Sequence, residues 1–202
     1  MIAYKFLERG ARDILTGVKW PVPAEGAPGA WVQGTKGAPI TASHTKDLGW
    51  WATDELFRVE LDGELREAPT QLYAARGRLI ARVEAWTPAL VTEFMHVCLH
   101  RVRDFAVEEL RAKGEDLNAE ALSRGNTIAE LQQLSGSLAI SDALARDLVG
   151  YVADACRFAL RPSMTCTSLA QTTAAVAKST LLQSFADERA WQSRWITQRL
   201  GL

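Results

Sequence analysis

Leu56-Phe57-Arg58-Val59-Glu60-Leu61-Asp62 and Arg78-Leu79-Ile80-Ala81-Arg82-Val83-Glu84-Ala85-Trp86, the second running straight into Thr87-Pro88, decide the fold. In the first stretch Phe57, Val59 and Leu61 alternate with Arg58, Glu60 and Asp62. In the second, Leu79, Ala81, Val83 and Ala85 alternate with Arg78, Arg82 and Glu84. A period of two with one charged face predicts strands whose other face is covered. Thr87-Pro88 then reads as a helix cap followed by proline at the first helical position. Beyond it the chain changes character. Five of the seven Trp and nine of the fourteen Gly lie before residue 87, and all three Cys lie after it. The expectation is an α+β fold: a small, largely antiparallel sheet over residues 1–87, with a Gly/Pro loop, packed against a helical bundle of four to five helices over residues 88–202. A sheet of so few strands needs a cover, so the two halves are expected to share a core.

The alternation of Ile2, Tyr4 and Phe6 with Ala3, Lys5 and Leu7 predicts a first strand. Residues 21–43 carry Pro21, Pro23, Pro28 and Pro39 with Gly26, Gly29, Gly34 and Gly37, a loop with room for a brief edge pairing at Trp31-Val32. Residues 45–53 read as one or two helical turns entered at Ser43 or Thr45. Asp62-Gly63 reads as a turn, and Leu72-Tyr73-Ala74 as a further short strand. Helices are expected over about 88–113, 116–134, 137–160, 165–186 and 186–200. Ile140, Leu144, Leu148, Tyr151, Ala155 and Phe158 form the third helix's stripe, and Pro162 stops it. The fourth is rich in Thr, Ser and Ala, with a weak stripe that points to completion by a partner or a second copy.

Composition excludes several classes. The net charge is −1, and it is even along the chain, with 11 basic against 11 acidic residues to position 87 and 12 against 13 after it. Nucleic-acid binders ordinarily carry a basic excess. No apolar run approaches the roughly 18 residues that span a bilayer, and the N-terminal stretch lacks a signal-peptide core. The expectation is a cytoplasmic protein with no membrane or nucleic-acid partner and no cofactor. Cys98, Cys156 and Cys166 are odd in number, widely spaced and lack CxxC, which reads as buried free thiols.

Glu93, His96 and His100 share a face of the first long helix, and His-x3-His is a spacing able to hold a metal ion. The apolar stripe through Val91, Phe94 and Cys98 places these side chains on the other side, where a solvated face is the simpler reading. Gly29 to Lys36 has glycines near a lysine, but in the order Thr35-Lys36 rather than the Lys-Ser/Thr of a phosphate loop. Ser43, His44 and Asp47 carry nucleophile, base and acid types, yet neighbours on an extended segment point apart, and helix capping explains them. Trp50-Trp51 are adjacent, about 100° apart on a helix, so one enters the core and the other sits at a rim where, with His44, it can meet a partner. Trp191 and Trp195 read as packing.

Residues 39–63, with Asp47-Leu48, Trp50-Trp51 and Val59-Glu60-Leu61-Asp62-Gly63, together with Tyr4-Lys5-Phe6, Arg76-Gly77-Arg78-Leu79 and Glu188-Arg189-Ala190-Trp191-Gln192, resemble an uncharacterised bacterial family of small proteins. The resemblance spans most of residues 1–86 and the last dozen or so, and implies no activity. The family's His and Cys at the turn fall on Thr41 and Ser43 here: if those two are reactive or metal-binding in relatives, this chain has lost that capacity, and if they are structural, Thr and Ser replace them as small polar turn residues. The order of strand, Gly-rich turn, short aromatic helix and strand is also similar to ADP-ribosyltransferase-like domains. That resemblance implies an NAD cleft with Glu84 as the strand-borne acid and Tyr4 and Trp51 as stacking partners. Two functional classes follow: a non-catalytic interaction or assembly protein, acting through helical faces or the Trp50-Trp51 rim on a protein partner or itself, and an NAD-binding enzyme.

Overall fold

A computed structural model describes residues 1–24, 26–35, 37–160, 165–179 and 184–202. The fold is α+β, with a five-stranded antiparallel sheet in the first half and six α-helices following it among the described residues. The strands are β1 (Ile2–Leu7), β2 (Val32–Gln33), β3 (Ile40–Ala42), β4 (Glu55–Ala68) and β5 (Gln71–Arg82), with a 3-10 helix at Thr45–Trp50. The helices are α1 (Pro88–Ala112), α2 (Asp116–Ser123), α3 (Ile128–Ser137), α4 (Ala143–Ala159), α5 (Thr165–Ser179) and α6 (Phe185–Leu200). Two compact units result, one of residues 1–91 and 190–202, the other of residues 92–189.

In the first unit the sheet closes on itself. β1 pairs β4, β4 pairs β5, and β5 pairs β2 and β3 along one side. Ser43, just past β3, then bridges back to Tyr4 of β1, with N–H···O distances of 2.7 and 3.0 Å in the two directions. A closed ring leaves fewer exposed strand edges than an open sheet. β2 and β3 are one strand interrupted by a detour. Val32 faces Gly77 and Gln33 faces Arg76, the Gly34 N–H donates to the Ala75 carbonyl, and pairing resumes with Ile40 on Ala74. Thr35 and Ala38 pinch the detour shut between them. Gly34 sits at the neck, where a Cβ would lie 2.8 Å from the Ile40 nitrogen. Ala3, Leu7, Trp20, Phe57, Val59, Leu61 and Leu79 fill the interior. Outside it, Trp86 meets Phe6 edge-on at 5.3 Å and donates its indole N–H to the Thr53 carbonyl at 2.7 Å. The Gly49 N–H donates to Ser193 Oγ at 2.9 Å, tying the 3-10 helix to the last turns of α6.

The expected turn at Asp62-Gly63 is instead a bulge inside β4. Register shifts between Asp62 and Leu65, Gly63 takes φ +84°, and the hairpin turns at residues 69–70, where Pro69 suits a tight turn. β5 ends at Arg82, four residues earlier than the alternation predicts. Val83 to Trp86 form a turn that carries Trp86 into the core, closed by Trp86 N–H on the Val83 carbonyl.

The cap at Thr87 forms, still within the first unit, with Leu90 N–H on its Oγ1 at 3.2 Å; the second unit begins at Thr92. The predicted second helix is two, broken at residues 124–127, where Thr127 and Glu130 make a reciprocal capping box that starts α3. The stripe of α4 is rotated from its expected line: Leu148, Val149, Val152 and Ala155 are buried, while Leu144 and Tyr151 are about two-fifths exposed, at 39% and 42%. The expectation that α5 buries little within its own chain is overturned. Leu169, Ala170, Thr173, Ala174, Val176 and Ala177 are all buried, because small side chains let the helix pack closely. Pro162 lies outside the described residues.

Candidate binding cleft

The first unit carries a buried ion pair that sequence reasoning missed. Lys5 lies on the same face of β1 as Ala3 and Leu7 and is 6% exposed. Its Nζ donates to Asp13 Oδ2 at 2.7 Å, to the Thr41 carbonyl at 2.8 Å and to Thr41 Oγ1 at 3.1 Å, so all three ammonium hydrogens are spent. The Trp20 ring centroid lies 5.2 Å away, within cation–π range. Asp13 belongs to the loop 8–20, which Glu8, Arg12 and Lys19 pinch by successive bridges. Its Oδ1 accepts from Leu15 N–H at 3.0 Å, Thr16 N–H at 2.9 Å and Thr16 Oγ1 at 3.0 Å, an Asx turn that shapes the loop. Burial pulls the Lys5 ammonium below the usual lysine range, opposed by Asp13. For Asp13 burial acts upward, but Lys5 and the Thr16 donors outweigh it and hold the carboxyl below its usual range. The signal available beforehand was a lysine between two inward apolar residues of one strand.

Beside this pair, between the loop 13–20 and the detour in the closing strand, lies a cleft of about 490 Å³. That is within the range of small-molecule sites. Leu15, Val18, Trp20, Val32, Ile40 and Tyr73 give it apolar walls; Thr16, Gln33, Thr35 and Gln71 add uncharged polar groups. Leu15 and Val18 are 62% and 49% exposed at its mouth. Tyr73 donates its hydroxyl to Gln71 Oε1 at 2.9 Å. Asp13 is the one charged residue among the described lining, and Lys5 neutralises it. A smaller hollow of about 20 Å³ shares Asp13, Leu15, Thr41 and Gln71 with the cleft and is also lined by Lys5, Ser43 and Trp51.

Trp51 lines the small hollow, but its indole N–H is engaged by the Thr70 carbonyl at 3.2 Å. Trp50 is half-buried and outside that lining. His44, not Ser43 or Thr45, is the residue that enters the 3-10 helix, without a side-chain cap bond, and its Nε2 lies 3.3 Å from Glu67 Oε1. Asp47 is buried in the first turn, which raises its carboxyl above the usual range. Thr41 and Ser43 line the hollow with Lys5, whose ammonium donates to Thr41. Tyr4 serves the ring closure through its backbone. Glu84 is exposed on the turn after β5, not on a strand.

In the second unit His96, which is exposed, and His100, which is half-buried, both line a groove of about 410 Å³ with Leu99, Asn126, Thr127 and Gln132. His100 Nε2 is 3.2 Å from the Asn126 carbonyl. Glu93 is half-buried and outside that lining, and among the described residues no three His, Cys, Asp or Glu side chains converge as metal ligands would. Cys98, Cys156 and Cys166 are free and buried as expected. Burial pushes the Cys98 thiol to about 12 and Cys156 to about 11. Arg101 of α1 pairs with the fully buried Glu188, its Nε on Oε1 at 2.8 Å. Among the described residues no helix is long and apolar enough to cross a membrane.

Comparison with protein-family models, with curated proteins and with solved structures finds no match.

Proposed function

We propose that this protein is a non-catalytic binding protein whose barrel unit takes an uncharged, partly apolar ligand in the cleft between the loop 13–20 and the strand detour. The observation that carries this reading is the state of the charges at the cleft. Lys5 has no free hydrogen and Asp13 accepts four bonds, so neither is available as nucleophile, acid or base. What the cleft offers a ligand is apolar wall with uncharged hydrogen-bonding groups, the composition of a recognition site. The site of interaction thereby moves from the Trp50-Trp51 rim to the neighbouring cleft. Three buried free thiols fit a reducing compartment, which supports a cytoplasmic placement.

The test is a fragment screen of the 202-residue chain by amide chemical shifts, using uncharged fragments of about ten to fifteen non-hydrogen atoms. Shifts are expected to cluster at residues 13–20, 33–41 and 71–73, to vanish in Val18→Glu, and to be absent with charged analogues. Perturbations scattered elsewhere, or binding indifferent to Val18→Glu, refute the reading.

A further inference from the structure

β4 is much longer than the strand beside it. β1 pairs only its residues 55–60, with Leu61 exchanging bonds with Met1 at 2.8 and 2.9 Å. From Asp62 onward no strand among the described residues lies on that side, and every residue from Asp62 to Glu67 is exposed. Alternate N–H and C=O groups along such an edge point outward, ready for another strand. Natural proteins blunt such edges with charge, bulges and proline. Here the bulge and the proline bound the edge instead of closing it, and the charges within it are of both signs. The Gly63 bulge marks one end and Pro69, which has no N–H, lies just beyond the other.

The stretch between them, Gly63-Glu64-Leu65-Arg66-Glu67, is self-complementary when read antiparallel. With Leu65 set against Leu65 of a second copy, Glu64 of each chain faces Arg66 of the other, and Gly63 faces Glu67. Residues 64 and 66 share one face of the strand, where both lie along the shallow depression at Tyr73. Leu65 is on the opposite face, 43% exposed. Opposite charges directly across an antiparallel pair attract and like charges repel, so this edge selects its own copy. Glu67 keeps its contact with His44, since the residue it would face has no side chain.

We propose that residues 63–67 of β4 pair antiparallel with the same edge of a second copy of this chain, forming a two-fold dimer joined through one continuous sheet. This goes beyond the cleft reading and does not depend on it. Five residues a side make an interface well under the standard size, so the dissociation constant is on the order of 100 µM.

Sedimentation velocity of the 202-residue chain from about 10 µM to about 1 mM tests it. The wild type is expected to move reversibly from monomer to dimer across that range. Arg66→Glu, which sets like charges across the dyad, is expected to weaken association at least about tenfold. The double variant Glu64→Arg/Arg66→Glu reverses both partners and is expected to restore it. Far-UV circular dichroism checks that the variants keep the fold. A wild type that stays monomeric throughout, or a folded Arg66→Glu that dimerises as well as the wild type, overturns the proposal. So does a folded charge-swapped variant that fails to recover.

Discussion

Replacing Lys5 by methionine probes the least expected feature of the barrel. Methionine fills nearly the same volume but leaves Asp13 as an unpaired carboxylate in a buried site. Breaking a buried ion pair by removing one partner costs about 3–5 kcal/mol. Asp13 retains three donors from Leu15 and Thr16, so the lower end, about 3 kcal/mol, is expected at pH 7. That is a large share of the roughly 5–15 kcal/mol that stabilises a typical domain. The double variant Lys5→Met/Asp13→Asn removes both charges while the amide oxygen still accepts from the loop, and should cost only about 1 kcal/mol. Acid reports the same pair. The wild-type carboxyl is held below its unfolded range, so its contribution is present above about pH 4 and is lost as pH falls through the lower folded value. In Lys5→Met the unpaired carboxyl is relieved by protonation, so the gap to wild type narrows toward pH 3. Urea unfolding followed by tryptophan emission at several pH values measures all three proteins. A loss under about 1 kcal/mol at neutral pH, or a gap that does not change with pH, refutes the account.

Other expectations are as direct. Gly34→Ala should cost about 2 kcal/mol, because the added methyl meets backbone at the neck of the detour, whereas Gly37→Ala, with open space around it, should stay within about 0.5 kcal/mol in the same unfolding assay. Thr127→Ala removes the capping box of α3 and should lower stability by about 1 kcal/mol, with Thr127→Ser recovering most of it. Cys98 and Cys156 should resist alkylation in the native protein at pH 8, since burial holds both thiols far above that pH, and should react at once in denaturant; mass spectrometry locates the adducts.

Parts of this molecule were legible in advance because their signals are local. Alternation at residues 56–62 and 78–82 gave the long hairpin's strands, and Thr87-Pro88 gave the start of α1. Ring closure was not legible, since it rests on Tyr4 meeting Ser43 across 39 residues, a pairing that no periodicity encodes. Asp62-Gly63 misled because the same dipeptide serves a hairpin or a bulge, and Pro69, seven residues on from Asp62, decides which. The break between α2 and α3 hid behind Gly125, because a single glycine is tolerated in a helical pattern; it is buried here, with a Cβ position only 2.7 Å from Leu131. The cleft escaped notice for a related reason. A lysine in an alternating strand reads as a solvent face, and only the packed barrel shows that the face of β1 carrying Ala3, Lys5 and Leu7 is buried.

The detour in the closing strand separates two tasks, holding the ring together and shaping a wall of the cleft. Gly34 and Ile40 hold their places against β5 whatever the excursion between them contains. New side chains, or a longer tip, at that excursion would alter one wall of the cleft and leave the ring of hydrogen bonds as it is. A scaffold built this way can reshape its cleft without relearning how to fold.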